Sequence, residues 1–475
     1  MKLLNHKFST IEKLSLFIDK LDQNNEIFIQ VFCGDFDAIK LQGVVDLLTT
    51  KLPLSSLIGT STAGEICNGV ISRKGILISF SLFEHVKVNT YYFPDSNFES
   101  GVKAAGDVIQ TDTKACVLFS EGLNGDPELF LNGFSSINKE VILAGGSAGD
   151  NAKFNKTFVI KGSEILDKGV VLASLTSKTL AVSNQYALEW TPIGKEMSIT
   201  KIDKNIVYEI DNKPVFDVFA YYLGTDAVNN IPQSLIEFPL IKIEDGVIIA
   251  RSMVGKTGDG GGIFAGCFKQ GDKVKFAVGN FDDVLVSASK LQSKLIQKPT
   301  EATYIYSCSA RDFFLKGHLN CEFELIENIA PTVGFFSYGE YFYTKEKTQL
   351  LNATTTTLSL SESSKLPSSQ EKLDVTPKNS MLKSVKHLVN TTQKELDSSI
   401  SNLTQYKLAL DQSNVVSKTD KEGIIIYAND NFCKISGYSQ QELIGSNHNI
   451  IRYLDPQNGL FHTMWTTIKS GKVWR

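Results

Sequence analysis

Short apolar runs recur along the first three-quarters of the chain, and three of them lead into nearly the same polar phrase. Such runs, at 56–58, 141–144 and 332–336, are typical of buried strands. The phrases themselves are Gly59-Thr-Ser-Thr-Ala-Gly-Glu65, Gly145-Gly-Ser-Ala-Gly-Asp150 and Phe336-Ser-Tyr-Gly-Glu340. Each contains a serine, then a glycine and an acid. The pattern therefore predicts a structural unit that occurs three times.

The repeat extends upstream of each phrase. A second apolar run ends in small polar residues at 27–35, 115–122 and 304–311, and we align these runs on Cys33, Ser120 and Ser307. A helical pattern with apolar residues at i, i+3 and i+4 lies between the paired runs, clearest from Ile39 onward. Strand, helix and strand within about 30 residues predict a βαβ unit. Ligands usually gather at the carboxyl ends of such strands, where the three phrases fall.

The remaining pattern completes a mixed α/β prediction, with repeated βαβ-hairpin units in layered sheets and flanking helices. We expect helices at 8–21, 100–110 and 127–137 and hairpins at 75–93 and 156–175. A first domain covers 1–188 and a second covers 189–363. In the second domain, Pro214 suits the first turn of a helix at 215–223. The glycine-rich stretch 258–262 is interpreted as a loop, because the Gly-Lys-Ser/Thr ending of a phosphate loop is missing.

A change of composition marks the end of the second domain. Residues 364–380 are rich in Ser, Thr, Lys, Glu and Pro, which is typical of a flexible linker. Apolar residues then recur every seven positions, at Leu382, Val389, Leu396, Leu403 and Leu410. This stripe predicts a signalling helix at 381–412 that forms a coiled coil in a homodimer. The alternative is a single surface helix that docks on its own domain.

Length and charge limit the classes of function. The chain has 475 residues, a length that favours about three domains. Its net charge of −4 gives no reason to expect a nucleic-acid or membrane partner. Seven cysteines occur without a CxxC pair or a Cys/His cluster, so neither a zinc site nor a disulfide framework is indicated. Without a long apolar segment, the chain is interpreted as cytoplasmic.

The three phrases supply the candidate chemistry. Adjacent N–H groups, a hydroxyl and a carboxylate form a polar cup that could hold an ammonium, a carboxylate or an amide. The guanidinium of Arg311 would suit a ligand carboxylate, and an ion-paired or surface arginine is the alternative. The predicted ligand residues are Ser61, Thr62, Gly64, Glu65, Gly146, Ser147, Asp150, Arg311, Ser337, Tyr338 and Glu340. For each acid alone, capping of the following turn is the competing interpretation.

Catalysis and protein docking are two further hypotheses. Gly145-Gly-Ser-Ala-Gly149 matches the G-x-S-x-G elbow of α/β-hydrolases, which would make Ser147 a nucleophile with His318 as its base. However, serines recur in all three phrases, and a catalytic role explains one of them. We therefore expect no enzymatic activity in this chain. A docking surface for a protein partner remains a third hypothesis.

The region from Ile27 to Ser363 resembles the FIST domain, a sensory module of two-component and chemotaxis signalling. The resemblance lies in the three phrases, in Asp211 to Gly224 and in Cys308-Ser-Ala-Arg311. It implies FIST N-like and FIST C-like halves that bind a small polar ligand, with an amino acid as one candidate. It also implies a signalling output downstream of the domain.

The C-terminal segment, 413–475, resembles the first part of a PAS domain. The resemblance lies in Gly423 to Phe432, Ser436-Gly-Tyr438 and Glu442-Leu-Ile-Gly445. The stretch from Asn447 onward is similar to the flavin-binding PAS domain of aerotaxis receptors, and this likeness would place Arg452, Asp455 and Trp465 near an FAD. The chain stops at Arg475, before the last strands of a PAS domain. We therefore expect that an output module follows in a longer receptor.

Overall fold

The structure is a computed structural model that describes residues 1–229, 231, 235, 237–279, 281–315, 319–345, 347–367, 380–451 and 460–474. It divides into two compact units, residues 1–386 and residues 387–475, each of which is described by itself. The greater part of the predicted linker, 364–380, lies outside the described residues. Within the described part of the chain, no helix has both the length and the apolar character needed to cross a membrane.

The first compact unit contains three copies of one sequence of elements. The first copy consists of β1 (Lys2–Lys7), α1 (Ile11–Ile18), β2 (Glu26–Cys33), α2 (Ala38–Lys51), β3 (Ser56–Ser61), β4 (Glu65–Cys67), β5 (Val70–Ser72) and β6 (Ile76–Phe83). Thr10 begins α1 and Asp37 begins α2, because their side chains accept hydrogen bonds from N–H groups of the first turn.

The second copy repeats this order. It consists of β7 (Lys87–Phe93), α3 (Phe98–Val108), β8 (Thr113–Ser120), α4 (Pro127–Ile137), β9 (Ile142–Ser147), β10 (Val159–Lys161), β11 (Glu164–Leu166) and β12 (Val170–Thr176). Asn97 and Asp126 cap α3 and α4, and Pro127 occupies the first turn of α4, where its missing N–H costs nothing.

The third copy has the same plan with a subdomain inserted after its first strand. The copy consists of β13 (Ala181–Ala187), the insertion, α7 (Phe281–Leu295), β22 (Ala302–Cys308), α8 (Ser309–Leu315), α9 (Asn320–Glu327), β23 (Thr332–Ser337), β24 (Glu340–Tyr343), β25 (Thr348–Leu351) and β26 (Thr355–Ser361). Two helices, α8 and α9, thus stand where each of the other copies has one.

The inserted subdomain is built on an eight-stranded antiparallel sheet. It contains β14 (Thr191–Asp203), β15 (Ile206–Ile210), β16 (Lys213–Pro214), α5 (Val215–Leu223), α6 (Thr225–Asn229), β17 (Leu240–Glu244), β18 (Val247–Arg251), β19 (Met253–Lys256), β20 (Gly262–Phe264) and β21 (Lys273–Val278). The predicted helix at 215–223 and the loop at 258–262 are both found here, the latter joining β19 to β20.

The three copies exchange hairpins in a cycle. Each copy forms a parallel pair, β2–β3, β8–β9 or β22–β23, and its last strand returns to the first strand of that pair. The intervening hairpin leaves for another sheet: β4–β5 joins β23, β24–β25 joins β9, and β10–β11 joins β3. Each of the three six-stranded sheets therefore contains strands from two copies.

The inner faces of the three sheets share one hydrophobic core. Phe32, Phe119 and Phe335 each come from a different sheet, and their ring centroids lie 5.3 to 5.8 Å apart. The outer faces bury the helices, with α1 and α2, α3 and α4, and α7 and α9 packing on one sheet each. The mixed α/β prediction, with layered sheets and flanking helices, is confirmed.

Strand pairing corrects two details of the sequence interpretation. Strands β6 and β7 were expected to pair as one hairpin at 75–93, but β6 returns to β2 while β7 is the edge strand of the next sheet. The parallel registers pair Cys33 with Ser61, Ser120 with Ser147 and Cys308 with Ser337. Cys308, and not Ser307, is therefore the counterpart of Cys33 and Ser120.

The second compact unit contains most of α10 (Ser380–Ser413), followed by β27 (Ser417–Thr419), β28 (Ile425–Ala428), α11 (Asp430–Ser436), α12 (Gln440–Leu443), a 3₁₀ turn (His448–Ile451) and α13 (Leu460–Lys469). Its small core is formed by Ile425, Ala428, Phe432 and Leu443. The predicted stripe on α10 is largely open to solvent, with Leu396, Leu403 and Leu410 at 52%, 67% and 55% exposure.

Candidate functional site

The three polar phrases lie together, because the carboxyl ends of the parallel pairs meet at one end of the three-sheet core. Backbone hydrogen bonds close a ring between them, from Gly149 to Ser61, from Tyr338 to Ser147 and from Phe336 to Gly64, with N–O distances of 3.0, 3.1 and 2.8 Å. The N–H of Phe158 also donates to the hydroxyl of Ser61 at 3.1 Å. The backbone groups of the three phrases are thus partners of one another, and the hydroxyl of Ser61 bonds to the backbone just before β10.

Glycines allow this close approach. A Cβ atom on Gly146 would lie 2.9 Å from the carbonyl oxygen of Gly339, well inside van der Waals contact. Gly64 has a φ of +145°, which side-chain-bearing residues rarely adopt. The structure therefore gives Gly64 and Gly146 a role in packing the phrases against each other.

The acid of the first phrase, Glu65, is fully buried at the start of β4. Its carboxyl group accepts a hydrogen bond from Thr62 at 3.0 Å and from Ser72 at 3.4 Å. Burial outweighs these hydrogen bonds and raises the pKa of Glu65 to about 7. Near neutral pH this carboxyl group is thus close to the midpoint of its titration.

The acid of the third phrase, Glu340, repeats this arrangement at the start of β24. The hydroxyls of Ser337 and Thr354 donate to its two oxygens at 2.6 and 2.9 Å. Burial raises the pKa of Glu340 to about 8, although both hydroxyls and the charge of Arg311 act in the opposite direction. At neutral pH, Glu340 is therefore mostly protonated.

The acid of the second phrase, Asp150, has different surroundings because a longer loop follows it. Its two oxygens accept four backbone hydrogen bonds from residues 153 to 156, at 2.6 to 3.1 Å, and a further one from the hydroxyl of Tyr338. Burial alone would raise the pKa of Asp150, but these hydrogen bonds bring it below its ordinary value. Asp150 is thus ionised and holds the loop in place.

Tyr338, which belongs to the third phrase, holds the same loop in place. Its hydroxyl oxygen accepts from the N–H groups of Ala152 and Asp150 at 3.0 and 3.2 Å. Its ring stacks on Phe154, with centroids 4.9 Å apart and planes 19° from parallel. The loop at 151–156, which we call the Asp150 loop, is therefore fixed to the third copy of the repeat.

Ser147 is buried in a cluster of hydroxyl groups. Ser120 donates to its hydroxyl at 3.2 Å, and the hydroxyl of Tyr341 lies 2.9 Å away. In the described part of the chain, no histidine is among the hydrogen-bond partners of Ser147. His318, the base that the hydrolase hypothesis requires, lies outside the described residues.

Arg311 is fully buried beside the third phrase. Its guanidinium forms ion pairs with Glu189 and Glu322, and it also donates to Ser307 and Thr355. Each nitrogen of this buried guanidinium already has a partner, so a ligand carboxylate could bind Arg311 only by displacing one of these four side chains. The arrangement matches the ion-paired alternative of the sequence interpretation.

A cavity of about 470 Å³ opens beside the Asp150 loop. It lies between the amino end of α2, the Asp150 loop and β11. Its walls are formed by Phe36, Ala38, Leu41, Phe158, Ile165 and Leu166, together with Asp150, Lys153, Asn155, Lys156 and Asp167. This volume falls in the usual range of small-molecule sites.

Asp150 is the predicted ligand residue that lines this cavity, while the other predicted residues pack around the ring of phrases behind it. The sequence interpretation missed the remaining cavity residues because they come from α2, the Asp150 loop and β11, which lie far apart in the chain and share no motif. The pair Lys153 and Lys156, directly after the second phrase, was the available signal.

The three residues predicted near a flavin are only partly described. Arg452 and Asp455 lie outside the described residues. The ring of Trp465 packs over Gly423, where an added Cβ would come within 3.2 Å of it, and Lys469 lies 5.9 Å from the ring centroid. These contacts give Trp465 a packing role in the second compact unit.

Comparison with known proteins identifies three regions. Residues 27–213 match the FIST N domain, residues 216–343 match the FIST C domain, and residues 409–464 match the PAS fold. The chain is 42% identical over 64 residues to the aerotaxis receptor of Escherichia coli, which covers 14% of this chain and 13% of that receptor. It is 24% identical over 221 residues to an uncharacterized protein of Methanocaldococcus jannaschii, covering 42% of this chain and 40% of the relative. The chain thus spans less than half the length of either relative.

Proposed function

Since this chain carries FIST N, FIST C and PAS domains, we propose that it is a cytoplasmic sensor whose FIST region binds a small polar ligand. FIST and PAS domains are signal-transduction sensor domains. In this proposal the FIST N-like domain covers 1–188, the FIST C-like domain 189–363 and the PAS region 413–475. An amino acid is one candidate ligand, and the output lies in a downstream signalling module.

The observation that carries the proposal is the cavity beside the Asp150 loop. Apolar walls with a few convergent polar groups are typical of ligand sites. Asp150 connects the cavity to the ring of phrases, and Tyr338 connects it to the third copy of the repeat. A ligand that changes the position of the Asp150 loop would therefore act on the FIST C-like domain through Tyr338.

The signalling helix is the proposed connection between the FIST region and the output. Lys386, near its amino end, forms an ion pair with Asp283 of α7 and donates to Thr191 at 3.5 Å, so the start of α10 is attached to the FIST C-like domain. The exposed heptad leucines further along α10 would be covered by the same helix of a second copy. If the protein has two arrangements of this helix, a ligand changes the output when its binding free energy favours one arrangement over the other by about 1–3 kcal/mol.

A cavity-blocking variant tests the proposal. Ala38 is exposed at the cavity wall, and Ala38→Trp would place an indole in the opening without disturbing the core. Ile39→Trp is the matched control, because Ile39 is 88% exposed on the next position of α2. Isothermal titration calorimetry of the full chain with the common amino acids and simple organic acids should find a ligand for the wild type and for Ile39→Trp. Equal affinity of the Ala38→Trp protein would contradict the proposal.

A further inference from the structure

Not all of the charged groups around the cavity are available to bind a ligand. Four charged residues line it: Asp150, Lys153, Lys156 and Asp167. The carboxylate of Asp150 already accepts five hydrogen bonds from the Asp150 loop and Tyr338. Two lysines and one aspartate therefore remain for a ligand.

Both lysines are free to bind an anion. Lys153 and Lys156 are exposed, and neither forms an ion pair with any residue in the described ranges. Their backbone N–H groups are held by Asp150, so the two side chains start from fixed positions on the rim. A fixed origin reduces the entropy that a flexible lysine loses when it binds.

Two neighbouring acids do not cancel this positive charge. Asp35 forms an ion pair with Lys40, and Asp37 accepts from the N–H groups of Ile39 and Lys40 at the start of α2. Neither of these acids lines the cavity. Two acids line the cavity among the described residues, Asp150 and Asp167. Of these, Asp167 is the one whose carboxylate accepts no hydrogen bond from the Asp150 loop.

The inner wall is apolar and aromatic. Phe36 and Phe158 meet edge to face with centroids 5.6 Å apart, and Leu41 and Ile165 extend the same surface. A ligand with a compact apolar or aromatic body would bury that body here, while its charged end remained at the rim. Burial of apolar surface would supply most of the affinity, and the rim would supply selectivity.

We infer that this cavity selects a small organic anion with an apolar body, such as an aryl or branched-chain carboxylate, and that Lys153 and Lys156 bind its charged group. The inference rests on the proposed function, because it names the chemical class of the ligand at the same site. It adds two residues that determine specificity. It also makes an anionic group, and not a free ammonium group, the feature that Lys153 and Lys156 recognise.

Three probes of similar shape separate the charge classes. Phenylacetate is an anion, phenylalanine is a zwitterion and phenethylamine is a cation. Isothermal titration calorimetry of the full chain should give the tightest binding for phenylacetate. Lys153→Met with Lys156→Met should weaken phenylacetate binding by at least about tenfold, since the charge-assisted hydrogen bonds to its carboxylate are lost. Lys103→Met, an exposed substitution on α3, is the control and should leave the affinity unchanged.

The outcomes distinguish this inference from the proposed function. If phenethylamine or phenylalanine binds more tightly than phenylacetate, and Ala38→Trp abolishes that binding, the cavity is a ligand site but the inference about charge is wrong. The same conclusion follows if the double lysine variant binds phenylacetate as the wild type does. If Ala38→Trp leaves the binding of every probe unchanged, the cavity is not the site and both proposals fail. The double variant Lys153→Glu with Lys156→Glu should reverse the preference toward phenethylamine.

Discussion

Replacement of Glu340 by glutamine should change how the stability of the protein depends on pH. Glu340 is fully buried, and its pKa is raised to about 8 by that burial. In the unfolded chain a glutamate has a pKa of about 4.3. Between these two values the unfolded state releases the proton of Glu340 while the folded state keeps it. The free energy of unfolding of the wild type therefore falls as pH rises through this range.

The magnitude follows from the difference between the two pKa values. Each pH unit in the range contributes about 1.4 kcal/mol, so the contribution of Glu340 falls by roughly 4 kcal/mol between pH 5 and pH 8 as an upper bound. The contribution is fully present below about pH 4, and it does not change further above about pH 8. The amide of Glu340→Gln does not titrate. Relative to the wild type, the variant should therefore become steadily more stable as pH rises.

Urea unfolding of both proteins at several pH values from 5 to 9 measures this difference. Glu65, which also has a raised pKa, is present in both proteins, so its contribution cancels in the comparison. The exposed Glu84→Gln variant is a control and should run parallel to the wild type. A difference between wild type and Glu340→Gln that stays constant from pH 5 to pH 9 would show that Glu340 is ionised in the folded protein, and the reasoning would be refuted.

Three other predictions concern the Asp150 loop and α10. Tyr338→Phe removes the hydroxyl that forms hydrogen bonds with Asp150 and Ala152, and it should lower the free energy of unfolding by about 1–2 kcal/mol. Thermal unfolding should show no such loss for the control Tyr221→Phe, because Tyr221 is exposed. Asp150→Asn leaves a single acceptor oxygen for the N–H groups of the loop, and it should cost about 1–3 kcal/mol and speed hydrogen exchange at residues 153–156; unchanged exchange rates there would contradict the capping role. Leu396→Glu with Leu403→Glu should convert a dimer into a monomer, as measured by light scattering. Ser398→Glu, on the opposite face of α10, should leave the dimer intact. A wild-type protein that is already monomeric would contradict the coiled-coil proposal.

The sequence was sufficient to predict the repeated βαβ units, because each combines a buried strand, a helical period and a polar strand end within a short span. It also placed the three serines at strand ends, since Ser61, Ser147 and Ser337 each terminate a strand of a parallel pair. These features are local. Periodicity over a few residues is enough to detect them.

The partners of those elements could not be predicted, because pairing is decided by contacts across long stretches of chain. The hairpin β4–β5 has the same local pattern whether it pairs with its own copy or with β23. Arg311 looked available for a ligand because Glu189, which holds it, lies 122 residues earlier in the chain. The cavity escaped prediction for the same reason, since α2 and β11 meet only in the folded protein.

The cyclic exchange of hairpins makes the FIST N-like and FIST C-like regions interdependent. A fragment that ends at residue 188 would keep β10–β11 on β3, but β9 would lose β24–β25 and β4–β5 would lose β23. Unpaired strand edges of this kind promote aggregation. The two halves should therefore be expressed and purified as one chain, and they should stay together in one gene. A change that loosens one hairpin will also affect the sheet to which that hairpin is added, although most of that sheet comes from another part of the chain.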